Sequence, residues 1–543
     1  MRALWIFVLF SLGLSGCDVW PSPSSSSKPA HEQNTNPGYH SVTGSLAYQD
    51  RLYTQDGFLD STIVYKTVRH AEIELTDTTG NQLNTTYSDS TGEFAFGDVP
   101  EGSYYLRLKA RVQHPDGPEF QIVDGQLALY VIEVPIQVSA EQDRFEVQLS
   151  VGDRVAGLFN MLDVFHSATD FVSAVSDGSV TVNDLTARWQ WGLSPGSYTC
   201  DISHPNCHTN LSILSDPYQS GDTDEFDDDV LLHEFAHHLE IGLGISESPG
   251  GYHSLRSTDL DLRLSWSEGM ASAFAASVKK WLREHDPYRL SVPITQGFDL
   301  TDFYIDTAGN RNAVTLDLRQ ASPTTYRYAS NEVAVASSLL ALQNETDAER
   351  VWPTFWHYFL TNQTAKTLEA FWDGMVGYHS PSTEALAAWQ TLLAQRAIFY
   401  QSDEAETNQS IASSKPVSID RHSLYRNHIT RDEDWHRLEV VSGQRYRIET
   451  YDLTNGADTF IQLFTNDGTL ISENDDTFDC SETAQGCVPL HNGLNFASSI
   501  EHTATETGSL YVRVTTSNAV YDDADLFGYI ARYGSYRLRM IEI

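Results

Sequence analysis

A chain of 543 residues with 74 Asp and Glu against 34 Lys and Arg is too long for one hydrophobic core and should divide into about two to four domains. The formal net charge of -40 is spread along the whole length, which argues against nucleic acid or anionic lipid as a partner, since both would be repelled. Solubility accounts for the acidity and says nothing of a basic substrate.

The chain opens Met1-Arg2, runs apolar from Ala3 to Leu14 and reaches Leu14-Ser15-Gly16-Cys17. A basic start, a short apolar stretch and small residues before a cut site read as a secretory signal over residues 1–17. The Leu-Ser-Gly-Cys end resembles a bacterial lipobox, in which the cysteine is lipidated and becomes the new N-terminus; the alternative is an ordinary signal peptide with an incidental cysteine. The resemblance implies a protein of the bacterial cell envelope, held by lipid at Cys17 and facing the periplasm or exterior. Asp18 resembles an inner-membrane retention signal. No later apolar run is long enough to cross a bilayer, so the lipid is the only expected membrane contact. Residues 18–40 are rich in Ser, Pro, Asn and Gln and read as a flexible tether.

Residues 41–150 alternate with period two, as in Ala71-Glu72-Ile73-Glu74-Leu75 and Glu93-Phe94-Ala95-Phe96, with turn residues between the runs. That pattern predicts an antiparallel β-sandwich. The order Asp89-x-x-Gly92-x-Phe94-x-Phe96, then Pro100-x-Gly102-x-Tyr104, resembles the carboxypeptidase-regulatory module, a transthyretin- or Ig-like spacer or binding domain without chemistry of its own.

From about Val151 the period becomes helical. Residues 151–408 are expected to form a mainly helical α+β domain, with its strongest helices at Asp227 to Gly242, Ser265 to His285, Asn331 to Gln343 and Ser382 to Phe399. Within the first stands His233-Glu234-Phe235-Ala236-His237. Residues four apart share a helical face, so two imidazoles can converge on one ion, and the glutamate after the first can act as general base on an attacking water. Asp227 can cap this helix. Val230, Leu231, Leu232, Phe235 and Ala236 give it an apolar side, where unpaired imidazoles would be costly. The acidic run Asp224, Glu225, Asp227, Asp228 and Asp229 reads as a solvated helix start favoured by the dipole.

A catalytic zinc needs a third protein ligand and an open position. Glu240 and Leu243 stand where the metzincin extension would require glycine and histidine. Downstream, Leu264-Ser265-Trp266-Ser267-Glu268-Gly269-Met270-Ala271 resembles the ligand segment of gluzincin peptidases, which implies a zincin fold, Glu268 as third ligand and a peptide or protein substrate. The gluzincin aspartate four residues on is replaced by Ser272. Other candidate ligands are His253, in Gly250-Gly251-Tyr252-His253, and, less favourably placed, His238 and Glu240. Tyr252, His253, Tyr326 and Tyr328 are candidates to stabilise the developing oxyanion, with Tyr328 preferred. Two further readings stay open: a catalytically silent zincin scaffold serving as a surface binding protein, and a zinc hydrolase acting on a non-peptide amide or ester.

Alternation returns over residues 418–543. Asp434-Trp435-His436-x-Leu438, Gly443-x-x-Tyr446, Asp458-Thr459-x-Ile461-x-Leu463, Asn474-Asp475-Asp476 and Gly534-x-Tyr536-x-Leu538 come in the order of the pre-peptidase C-terminal domain. That resemblance implies a C-terminal β-sandwich of the kind found behind the catalytic domain of many secreted bacterial peptidases. Asp458, Asp467, Asp475 and Asp476 could supply oxygen ligands for Ca²⁺, or simply be acidic turns. Beyond Cys17, the pairs Cys200 with Cys207 and Cys480 with Cys487 have the same short spacing and suit two local disulfides in an oxidising compartment.

Overall fold

The alternation in the first third of the chain forms strands. In the computed structural model, β1 (Tyr39–Thr54) buries every second residue from Val42 to Asp50, as a strand with one covered face must. The structure describes residues 38–543 apart from 55–56, 141, 193–195, 218–221, 259, 292–302, 309–311, 319–323, 363, 401–406, 418–425, 430–432, 476–495 and 517–532. Cys17 and the signal, nearly all of the tether, Asp476 and the Cys480–Cys487 pair therefore lie outside the described residues. Regions of β-sheet at both ends flank a central helical region. The chain divides into two units, Met1–Leu239 with Val278–Thr315 and Glu240–Ser277 with Leu316–Ile543.

In the first unit β1 is followed by β2 (Gly57–Thr67), β3 (Ala71–Asp77), β4 (Gln82–Tyr87), β5 (Glu93–Pro100), β6 (Gly102–Gln113), β7 (Glu119–Val123), β8 (Val131–Val138) and β9 (Arg144–Leu149). β1 pairs antiparallel with β2 and β5 and parallel with β9. Gly44 on β1 leaves no room for a side chain: a Cβ there would lie 2.3 Å from the Phe145 carbonyl oxygen and 2.4 Å from the Phe94 ring.

Helix α1 (Ala156–Val175) then packs against β1, β6 and β7, with nearly all of its residues buried. After it come β10 (Leu185–Arg188), β11 (Tyr198–Thr199) and β12 (Leu211–Ser212). These extend an existing sheet, whose order is β11-β12-β10-β7-β6-β3-β4, with β8 also on β6. β10 joins β7 in parallel, Leu185 to Arg188 against Phe120 to Val123. A sheet begun before residue 150 is thus completed after it.

Charged groups are buried between these elements. Lys66 on β2 pairs with Asp50 on β1 at 2.9 Å, their side chains 1% and 0% exposed. The same ammonium donates to the Arg289 carbonyl at 2.7 Å and the Ser291 hydroxyl at 3.1 Å. Asp163 of α1 accepts from Arg69 at 2.7 Å and from Arg289 at 3.2 Å. Burial pushes the Asp163 carboxyl up, but Arg69, Arg289 and Lys66 outweigh it and hold the group well below the usual carboxylate range.

The remaining helices are α2 (Asp228–Gly242), α3 (Leu262–His285), α4 (Glu332–Glu345), α5 (Ala348–Thr361), α6 (Leu368–His379) and α7 (Thr383–Ala394). α3 begins about a turn before the expected Ser265, at a start marked by Asp261, whose carboxylate accepts from the Arg263 N–H at 2.8 Å; acids of this kind favour helix starts. α7 stops short of the expected Phe399. Ala397 takes a left-handed φ of 55°, which ends the helix, and Ile398 and Tyr400 after it are buried. α4 begins at Glu332, and Asn331 caps it by accepting from the Ala334 N–H at 2.8 Å.

In the second unit, two C-terminal sheets share one core. One runs Lys415–Val417, Asp434–Val440, Gly508–Thr516, Thr459–Phe464, Leu470–Asn474; the other runs Arg426–Ile429, Tyr533–Glu542, Arg445–Thr454, Ser499–Thr503. Leu438, Ile461 and Val512 from the first meet Ile448, Ile500 and Leu538 from the second in a single buried cluster. Among the described residues, no helix is long and apolar enough to cross a membrane.

The buried pair gives a test of the first unit. Lys66→Met should cost about 3–5 kcal/mol in denaturant unfolding, because it strands the Asp50 charge. The double change Lys66→Met with Asp50→Leu should recover most of that loss; equal losses in the single and double variants would contradict the pairing.

Candidate metal centre

α2 starts as its sequence suggests, with the Asp227 carboxylate accepting from the Asp229 N–H at 3.1 Å and the Val230 N–H at 3.2 Å. The acidic run around it is not solvated, which corrects the sequence reading: Asp224, Glu225, Asp227, Asp228 and Asp229 are all buried. Burial is tolerated because polar groups converge on them. Lys279 forms an ion pair with Asp229, whose carboxylate also receives the Tyr53 hydroxyl at 3.4 Å. Asn160 donates to Asp228 at 3.2 Å, the Ser291 hydroxyl donates to the same carboxylate, and Ser197 donates to Asp224. The Trp189 indole donates to Glu225 at 3.3 Å. Burial pushes the Glu225 carboxyl up to about 7 and raises Asp228 as well.

One turn further on, the His233 and His237 rings meet, with their Nε2 atoms 3.1 Å apart. Both are half-buried. Glu234 is 8% exposed, and its Oε2 accepts from the Thr199 hydroxyl at 2.7 Å; the same hydroxyl lies 2.8 Å from the Glu234 carbonyl oxygen. His238 faces elsewhere, its Nε2 3.2 Å from the Asn183 carbonyl oxygen. Burial lowers the pKa of this ring. Cys200 and Cys207 form a disulfide, with Cα atoms 5.8 Å apart.

In the second unit each residue of the Ser265–Gly269 stretch has a visible task. Ser265 donates to the Ala329 carbonyl at 2.6 Å. Trp266 is fully buried, with ring centroids 5.3, 5.6 and 5.4 Å from Phe355, Phe359 and Phe371. Ser267 donates to one oxygen of the buried Glu240 carboxylate at 2.8 Å. Gly269 lets α4 come close: a Cβ there would lie 2.5 Å from the Glu332 carbonyl oxygen and 2.6 Å from the Val335 Cβ. Glu268 lies 3.6 Å from His253 Nε2, and the other nitrogen of that ring lies 2.8 Å from Glu332.

The candidate oxyanion donors differ in setting. Tyr252 is 83% exposed and Tyr326 half-buried. Tyr328 is buried with a left-handed φ of 76°, its N–H donating to the Arg396 carbonyl at 2.8 Å. A bulky residue in that region is strained.

Among the described residues, two groups of side chains that each lie within one unit could hold a metal ion, with donor atoms within 4.8 Å of one another: His253, Glu268 and Glu332 in the second unit, and His114, His166 and Asp170 in the first. In the His114 group, His114 and Asp170 are already engaged with protein groups. The Asp116 N–H donates to His114 Nδ1 at 3.0 Å, so a neutral His114 carries its proton on Nε2 and gives it to Asp170 at 3.1 Å. Asp170 also takes Arg69 at 3.0 Å and faces His166 Nδ1 at 3.2 Å. A metal there would have to displace the His114 proton, and the Arg69 guanidinium beside the carboxylate repels a cation. Neither of these groups contains Asp458, Asp467 or Asp475; Asp467 instead closes a turn, accepting from Thr465 and from the Thr469 N–H.

Thr199 and Glu332 were not among the residues singled out from sequence. Thr199 belongs to no motif, and Glu332 is one acid at a helix start among many.

No protein-family model and no curated protein sequence matches the chain. Solved structures share parts of it. The pre-peptidase C-terminal domain of collagenase from Bacillus anthracis is 13% identical over 23% of this chain and 93% of that one, with a TM-score of 0.16. A surface-associated copper-binding protein of Methylomicrobium album BG8 is 9% identical over 23% of this chain and 96% of that one, TM-score 0.15. A periplasmic inhibitor of g-type lysozyme from Aeromonas hydrophila is 12% identical over 23% and 95%, TM-score 0.12.

The raised Glu225 carboxyl makes a stability prediction. Its folded pKa lies above its unfolded one, so ionising it costs stability as pH rises, and the cost is fully present only above about 7. Glu225→Gln should therefore stabilise the protein at pH 8 by about 1–3 kcal/mol, with the gain fading toward pH 4. Denaturant midpoints at the two pH values measure it, and a gain independent of pH would refute the buried-carboxyl account.

Proposed function

We propose that the chain is an exported zinc-dependent peptidase of gluzincin type, with His233, His237 and Glu268 as ligands and Glu234 as general base. The observation that carries this reading is the pairing of His233 and His237 on α2, with Nε2 atoms 3.1 Å apart; Glu268 is assigned through the resemblance of its segment to the gluzincin ligand helix. Two Zn–N bonds of about 2.0–2.1 Å at a tetrahedral angle separate their nitrogens by about 3.3 Å, close to that value. Two imidazoles and a carboxylate also form the donor set of a catalytic zinc with one position left open.

Zinc, when bound, supplies Lewis-acid polarisation and makes water acidic enough to lose a proton near neutral pH. Glu234 takes that proton and returns it to the leaving amine. Its low exposure keeps competing water away, and its place beside His233 sets it next to the reacting atoms. His253, held by Glu332, joins Tyr328 as a proposed donor to the developing oxyanion, and it is the one with a carboxylate fixing its ring. The Cys200–Cys207 disulfide supports an oxidising compartment, in keeping with a chain tethered through Cys17 in the bacterial envelope. Calcium binding by the C-terminal acids remains a proposal on sequence grounds alone.

Soluble protein from Asp18 onward should hold one zinc per chain and cleave members of a mixed peptide library, read by mass spectrometry. Glu234→Gln should keep the zinc and lose about a hundred- to ten-thousandfold in turnover. Glu268→Gln should lose zinc on dialysis against a chelator that leaves the wild type loaded. A chain that binds no zinc would defeat the reading, and a Glu268→Gln variant that stays loaded would pass the third position to His253.

A further inference from the structure

We propose that the Cys200–Cys207 disulfide governs the general base through Thr199, a positioning residue for Glu234; the proposal rests on the peptidase reading above. β11 is only two residues long and stands at the end of its sheet, with Tyr198 opposite Ser212 and Thr199 opposite Leu211. So short a strand does not hold itself in water. It is pinned on both sides. Before it, the Leu214 N–H donates to the Ser197 hydroxyl at 3.0 Å, and that hydroxyl donates to Asp224. After it, the Cys200 N–H donates to the Asn210 carbonyl at 2.7 Å, and the same residue is bonded to Cys207.

The residues between the two cysteines are exposed. Two turns order them, with the His204 N–H on the Asp201 carbonyl at 2.9 Å and the Cys207 N–H on the His204 carbonyl at 3.0 Å. The disulfide is therefore the covalent tie on that side of β11. Thr199 adjoins it and reaches Glu234 Oε2 at 2.7 Å. A β-branched side chain has few rotamers, so Thr199 selects one orientation of the carboxylate for as long as its backbone stays in place. Reduction by a dithiol breaks the S–S bond and forms two S–H groups, while the dithiol closes to its own disulfide. The 200–207 loop then opens, β11 frays, and Glu234 regains rotamers in which it cannot reach the attacking water.

The test uses the full soluble chain loaded with zinc. Thr199→Val, close to isosteric, should lower kcat by about ten- to a hundredfold, as a misplaced catalytic group does, with KM kept within about twofold. Thr199→Ser restores the hydroxyl and should recover kcat to within about threefold of the wild type. The double change Cys200→Ser with Cys207→Ser should lower kcat in the same way, without touching the other cysteines. Hydrogen exchange of the peptide spanning residues 196–212 should rise when the wild type is reduced with dithiothreitol, and this readout needs no activity. Wild-type kcat in Thr199→Val or in the double cysteine variant overturns the proposal, as does unchanged exchange on reduction. A wild type that cleaves nothing defeats the peptidase reading instead, and the exchange experiment still decides whether the disulfide holds the strand.

Discussion

Burial of the carboxylates at the head of α2 constrains much of the first unit. In a chain of net charge -40, placing Asp224, Glu225, Asp227, Asp228 and Asp229 out of water sets like charges against one another where screening is weak. They are tolerated only where donors meet them. Asn160 comes from α1, Lys279 from the end of α3, Ser291 from the segment after it, and Trp189 and Ser197 from either side of the β10–β11 connection. Each element must arrive at that point, so the N-terminal turn of α2 is fixed from several sides. His233, Glu234 and His237 follow within two turns on the same rigid helix and inherit its position.

The second unit meets a different constraint, which is close approach. Gly269 admits the Glu332 carbonyl and Val335 where any side chain would collide, and α4 consequently begins against α3. That contact puts Glu332 beside His253. Trp266, on the same helix, fills the space between aromatic rings of α5 and α6, so the helix carrying Glu268 cannot rotate without opening a cavity. A short stretch of sequence thus holds one candidate ligand, one anchor and one gap for a neighbouring helix.

What could be read from sequence follows from how local the physics is. The H-E-x-x-H helix, its Asp227 cap and the short Cys200–Cys207 bridge depend on residues a few positions apart, and spacing reveals them. Period-two alternation likewise announced sheet at both ends. The acid run was misread because helix-start statistics assume solvent, whereas Lys279 reaches Asp229 from 50 residues away. The joining of β10 to β7 across residue 150 left no mark either, since parallel pairing between distant strands has no local signature. Thr199 and Glu332 were missed for the same reason: each matters through a contact, at 35 and 79 residues of separation, that no motif encodes.

The histidine clusters show why composition alone does not make a metal site. His114 and His166 are as close to a carboxylate as any ligand pair would be. Yet the backbone N–H of Asp116 fixes the His114 tautomer, and Arg69 occupies Asp170. Charge there is balanced within the protein, and burial pulls the His166 pKa down to about 4, so the ring stays neutral and the network serves stability. On α2 the two Nε2 atoms face each other at 3.1 Å, a geometry in which two lone pairs repel unless a proton or a cation lies between them. A proton joins only two such atoms, whereas a tetrahedral cation takes both and has room for a carboxylate and a water. The direction of the lone pairs, set by the i, i+4 spacing on a helix that buried charges hold still, is what distinguishes a candidate centre from a hydrogen-bond network.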